Sequence, residues 1–212
     1  MKLNFIPLGT RCSSAFVVRD NIKKRELALP FDWLDLSIIS ICQFVKLNSH
    51  EDVIDYVNLY FEKIGEDPHK HEDSDILNYS KHPDGTWFAH EIELIDGAYK
   101  LKPGTKNKFI KRLSRLIQIL NSDEFCVFLT IMFEEGMYSF EDYETLKNIL
   151  RSKVKNNAIF ITVNLGNEPD FHIENHFNFR IPQLDKFDDG LKGWESLIGE
   201  RIKTVLPEDG DI

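Results

Sequence analysis

Phe125-Cys126-Val127-Phe128-Leu129-Thr130-Ile131-Met132-Phe133 is the stretch on which the fold turns. It is apolar almost without interruption, so neither face of the segment is built for water, which is the pattern of a strand covered on both sides. Its shortness and its aromatic and β-branched residues favour strand over helix. Ala158 to Leu165 has the same character. Between the two, Ser139 to about Val154 reads as a helix. Asp142 stands three residues after Ser139, a capping-box spacing, and Glu141 adds first-turn acidity. Two doubly buried strands joined by a helix predict adjacent parallel strands and a crossover connection.

Working outward, Lys106 to Leu120 carries Phe109, Leu113, Leu116, Ile117 and Leu120 at helical spacing. Before it, Trp87 to Leu94 and Ala98 to Leu101 flank Asp96-Gly97, a hairpin signal. After the central pair, His176 to Ile181 alternates like a shorter strand, and Trp194 to Val205 closes the chain as a helix. At the other end, Leu3 to Leu8 reads as a first strand, Gly9-Thr10 as a turn, and Ala15 to Val18 as the start of a helix. Leu36 to Leu47 is helical, capped by Asp35 or Ser37, and Val57 to Phe61 continues in a short helix. The polar segment from Gly65 to Gly85 reads as a long loop. The expected fold is a single α/β domain over residues 1–212. It is three-layered, with a mostly parallel sheet, helices on both faces and one β-hairpin insert.

With 212 residues, 42% hydrophobic and 16 Phe, the chain has ample material for a core. The net charge of −9 speaks against general nucleic-acid binding, which needs a basic face. Lys106, Lys108, Lys111, Arg112 and Arg115 are read as the solvated face of a helix. Three cysteines without CxxC spacing predict neither a disulfide scaffold nor a zinc site. No apolar run approaches the ~20 residues of a membrane span, and no leader pattern precedes the first strand. The expectation is a cytoplasmic protein without metal, cofactor, membrane or nucleic-acid partner. His69, His71, Glu72, Asp73, Asp75 and His82 are potential metal ligands by type, and a solvated acidic loop is the better reading.

Ligands in parallel sheets bind beyond the carboxyl ends of the strands. Three segments gather there: Gly9 to Cys12, Glu134 to Met137, and Gly166 to His172. Cys12 stands at a helix start beside Arg11, where free N–H groups and positive charge favour the thiolate. A catalytic thiol needs a base, and the candidates are His90 in Phe88-Ala89-His90-Glu91 and His172 in Pro169-Asp170-Phe171-His172, with His176 weaker. Asp170 either orients His172 or starts a turn. Gly9, Thr10, Arg11 and Ser13 are candidates for holding substrate and its oxyanion. Glu134 and Glu135 are a weaker acid/base pair. Cys42 and Cys126 sit on apolar faces and are expected to be inert.

Leu8-Gly9-Thr10-Arg11-Cys12-Ser13-Ser14-Ala15, then Pro30-Phe31-Asp32-Trp33-Leu34, then Phe88 to Glu91, resembles the domain family of putative papain-like cysteine peptidases of bacteria and large DNA viruses. The resemblance runs from Leu3 to about Leu165. It implies Cys12 as nucleophile and His90 as base. Where the family has Asp after the histidine this chain has Glu91, and strand alternation would turn Glu91 away from His90, so the third member stays open. The family label also implies a papain-like α+β fold as the alternative to the parallel sheet. Two functions follow: a thiol-dependent hydrolase or acyl transferase acting on a peptide or acyl compound, or a non-catalytic α/β domain that binds a ligand or a protein. Asp32 and Trp33 are expected to be structural, with the Asp32 carboxylate capping backbone N–H groups.

Overall fold

The computed structural model describes residues 3–8, 17–18, 28–32, 36, 38–64, 69–70, 78–83, 86–88, 91–95, 98–132, 140–154, 158–164, 169–181 and 196–206. Its elements are β1 (Leu3–Pro7), α1 (Ile38–Lys46), α2 (His50–Glu62), β2 (His69–Lys70), β3 (Asn78–Lys81), β4 (Trp87–Phe88), β5 (Ile92–Ile95), β6 (Ala98–Leu101), α3 (Thr105–Leu120), β7 (Phe125–Met132), α4 (Phe140–Lys153), β8 (Ala158–Asn164), β9 (Phe171–Ile173) and β10 (His176–Arg180). Residues 196–203 are helical.

The main sheet has the order β1-β7-β8-β10-β9. The first four are parallel and β9 is antiparallel at the edge. Phe125 to Met132 and Ala158 to Asn164 are the adjacent parallel strands that their apolar runs predict. The steps β1 to β7 and β7 to β8 go in the same direction. Right-handed crossovers then put both connections on one face of the sheet. The core shows this: Ile6, Leu8, Cys126, Phe128, Ala158 and Phe160 pack in one cluster with buried residues of α1, α2, α3 and α4. The opposite face, with Phe5, Val127, Leu129, Ile131, Ile161 and Val163, clusters with Val17, Val18, Ile198 and Ile202. The result is three layers of α/β type, with a parallel sheet where a papain-type fold has an antiparallel one.

Several boundaries differ from the sequence reading. The second helix is long, because Ser49 and Asp52 form a capping box that starts it at His50. The segment read as one loop holds β2 and β3, which join β4 in a small antiparallel sheet. The strand expected over Trp87 to Leu94 is two short strands with a turn at Glu91 between them. Polar composition hid the short pairings, which are set by docking rather than by hydrophobic alternation. The two hairpin strands do pair, antiparallel, with Ile95 opposite Ala98.

The small sheet is fastened to the helical layer. Ser40 and Thr86 share a buried hydroxyl hydrogen bond of 3.0 Å, and His82 stacks on Tyr60 with ring centroids 3.7 Å apart. Phe31 docks on the same layer, fully buried and 6.3 Å from Phe44. The turn that presents it is closed by Asp32, whose buried Oδ2 accepts from the Leu29 N–H at 2.8 Å. The carboxylate thus has the capping role expected of it. Asp32→Ala should lower stability by about 0.5–2 kcal/mol, the range for a lost cap. A urea titration checks this, and an unchanged midpoint would overturn the assignment.

Candidate functional site

On the face covered by α4, the strands change character along their length. Cys126, Phe128, Ala158 and Phe160 belong to the apolar core. Further toward the carboxyl ends come Thr130, Thr162, Asn164 and Asn178, all buried. Thr130, Thr162 and Asn178 lie side by side in register across β7, β8 and β10. The Leu8 N–H donates to the Leu129 carbonyl at 2.8 Å, so the chain leaves β1 beside this polar row. His176 joins the row from below. It is 3% exposed, with Nε2 3.0 Å from Thr162 Oγ1 and Nδ1 3.4 Å from Lys147 Nζ. The Thr162 hydroxyl donates to Asn178 Oδ1 at 2.8 Å, Asn164 Nδ2 donates to the same oxygen at 3.1 Å, and Asn178 Nδ2 donates to the Pro169 carbonyl at 2.9 Å.

The charges here are arranged around a neutral imidazole. Burial first, then the Lys147 and Arg151 cations, lower the His176 pKa to about 4, against the opposing pull of Glu144. Lys147 is itself buried and ion-paired with Glu144 one turn away. The ring of Tyr143 lies 5.4 Å from that of His176. Burial pushes the Tyr143 phenol up, the Glu144 carboxylate adds to this, and the Thr130 hydroxyl opposes it. The cue in the sequence was available: Thr162, Asn164, His176 and Asn178 are polar at alternate positions in otherwise apolar strands, so they share a face.

The residues expected to carry the chemistry fall partly outside the described ones. Gly9, Thr10, Arg11, Cys12, Ser13 and His90 all lie outside, as do Trp33, Glu134 and Glu135. The flanks of His90 are described and anchored. Thr86 is bound to Ser40 on α1. Glu91 is buried and salt-bridged to Lys108, with the Thr105 hydroxyl donating to it at 3.3 Å and its carbonyl accepting from the Lys102 N–H. Glu91 therefore ties the hairpin to the start of α3. Lys108, and Arg115 through a 2.5 Å hydrogen bond to the Ala28 carbonyl, serve as ties within the fold as well as members of a solvated face.

His172 lies on the exposed edge strand β9. Through the register it shares a row with Phe177, Ile161, Leu129 and Pro7. Four strand spacings separate it from Pro7, roughly 19 Å at the usual 4.8 Å each. Its ring stacks on Phe177 and its Nε2 sits 2.6 Å from the Glu174 carbonyl. Asp170 does not orient it: the carboxylate accepts from the Arg180 N–H and pairs with Arg201.

Among the described cysteines, burial raises the Cys42 thiol and pushes Cys126 up to about 12, with Glu124 adding to the latter. Both shifts disfavour the thiolate that a nucleophile needs. Among the described residues, no group of three or more His, Cys, Asp and Glu is placed to hold a metal ion, and no helix is long and apolar enough to cross a membrane.

Residues 3–168 match the family described as "Putative papain-like cysteine peptidase". An uncharacterized protein of Acanthamoeba polyphaga mimivirus is similar, 26% identical over 164 residues that cover 73% of this chain and 73% of the relative. No solved structure matches.

Proposed function

We propose, for a chain that belongs to the family of putative papain-like cysteine peptidases, a thiol-dependent hydrolase in which Cys12 is the nucleophile and His90 its base. The observation that carries this reading is that the family match spans both residues in one stretch, 3–168. The Cys12 thiolate attacks a carbonyl carbon and a C–S bond forms. His90 takes the thiol proton and hands it to the leaving nitrogen or oxygen as the bond from the carbonyl carbon to that atom breaks, leaving a thioester on Cys12. N–H groups within Gly9 to Ser13 hold the oxyanion, and Arg11 favours the thiolate. Water deprotonated by His90 then cleaves the thioester. An amine or alcohol in place of water makes the same cycle an acyl transfer.

Three features support the assignment. The chain leaves β1 at the carboxyl end of a parallel sheet, the binding end of such sheets, shortly before Cys12 in the sequence. The chain on both sides of His90 is pinned to the helical layer, at Thr86 and at Glu91. His172, the other candidate base, is on the far edge strand. Glu91 has a scaffold role with Lys108, which argues against it as the third catalytic member.

The test has two parts. Iodoacetamide at pH 7, read by mass spectrometry, should label Cys12 well before Cys42 and Cys126. Against a panel of fluorogenic esters and peptides, His90→Ala should cost roughly 10²–10⁴-fold, the usual worth of a general base, and Cys12→Ala should remove turnover. Labelling of Cys12 no faster than Cys42 would leave a non-catalytic binding domain, and turnover surviving in Cys12→Ala would place the nucleophile at another residue.

A further inference from the structure

We propose that His176 is a positioning residue: it holds Asn164, Asn178 and Pro169 at the carboxyl end of β8 as one side of the substrate crevice. This rests on the thiol-site reading above.

The hydrogen bonds around it are self-consistent in one direction only. A threonine hydroxyl has one proton, and that of Thr162 goes to Asn178 Oδ1. Toward His176 the same oxygen can then only accept, so the imidazole carries its proton on Nε2. Nδ1 is left with a lone pair, and it faces the Lys147 ammonium, which donates. Asn178 Oδ1 also accepts from Asn164, which commits Asn178 Nδ2 to donating to the Pro169 carbonyl. The chain runs from Lys147 through His176, Thr162 and Asn178 to a backbone oxygen beyond β8. The next residue, Asp170, is clamped by the Arg180 N–H and Arg201.

Location separates this from ordinary core packing. Nearer the amino ends, the same face of β7 and β8 is apolar. Apolar residues often fill such buried space without loss of stability. The switch to amides and hydroxyls comes at the end of the sheet where ligands bind. β8 is two strands from β1, about 10 Å, a span that three residues of extended peptide cover. A peptide laid across the carboxyl ends of the sheet therefore passes from the end of β1 to the end of β8, over the polar row that His176 holds. His176 acts on what the crevice accepts rather than on the thiol.

The experiment compares alkylation of Cys12 by a peptidyl chloromethyl ketone and by iodoacetamide. In His176→Leu the ratio of the two rates should fall about tenfold, as for one lost buried hydrogen bond. In His176→Gln the side-chain oxygen can accept from Lys147 and its amide can donate to Thr162, so the ratio should be restored. Thr162→Val breaks the same chain midway, should reproduce the loss, and serves if the leucine variant does not fold. Long-range ¹H–¹⁵N spectra should show His176 neutral with its proton on Nε2. A proton on Nδ1, or a ratio unmoved in His176→Leu and Thr162→Val while Cys12 is reactive, overturns this proposal alone. A wild-type Cys12 that ignores iodoacetamide overturns the thiol reading and this role with it.

Discussion

Phe44→Ala should cost about 3–5 kcal/mol, a large share of the ~5–15 kcal/mol that holds a domain folded. Phe44 is fully buried on α1. Its ring meets Tyr56, Tyr60 and Phe109 edge-on at 5.6, 5.3 and 5.4 Å and stacks on Phe31. Through this one ring α2, α3 and the Phe31 turn meet. Deleting it removes the transfer energy of the ring and leaves a cavity between elements that other contacts hold apart, so collapse is incomplete. The midpoint of urea unfolding should drop with little change in slope. Phe44→Leu, which keeps much of the volume, should lose clearly less. A loss below about 1 kcal/mol in Phe44→Ala would mean that the aromatic cluster is not the joint described here.

Acid should destabilise the protein in a window that belongs to His176. Its pKa is about 4 in the folded protein against 6.5 for the free side chain. Above pH 6.5 the imidazole is neutral in both states and the stability is complete. As pH falls from 6.5 to 4, the unfolded chain takes up a proton that the folded chain refuses, because burial penalises the charged ring and the Lys147 and Arg151 cations repel it, with Glu144 only partly offsetting them. The loss approaches 1.4 kcal/mol per pH unit and totals up to about 3 kcal/mol. Below pH 4 this contribution is spent. Carboxylates with lowered pKa values, such as Asp170, then add their own losses. Unfolding free energies at half-unit steps from pH 7 to 4 should show the slope in wild type and a weaker one in His176→Gln. Equal slopes in the two proteins would place the acid sensitivity elsewhere.

Much of the fold could be read from local pattern. The runs at Phe125 and Ala158 are apolar on both faces, and the intervening segment has a cap and a helical length, which together imply a parallel pair with a crossover. The heptad-like spacing from Phe109 to Leu120 and the Asp96-Gly97 turn predicted their elements for the same reason. The capping turn at Asp32 was also legible, since Pro30 stops a helix and a carboxylate two residues later has backbone N–H groups within reach. Short strands such as Asn78–Lys81 were not, because their pairing is decided by where the small sheet docks, through Ser40, Tyr60 and Thr86.

By itself, the sequence determined the α/β class, the central strand pair and the chemical candidates Cys12 and His90, since these rest on periodicity, helix-start chemistry and family motifs that lie in contiguous residues. Only the tertiary structure decided which groups share space. It set Glu91 against Lys108, sent His172 to the edge four strands from β1, and brought Lys147, Thr162, His176 and Asn178 into one directed chain. Strand order and register make those neighbours, and both are settled by long-range pairing and packing, which no local window of sequence contains.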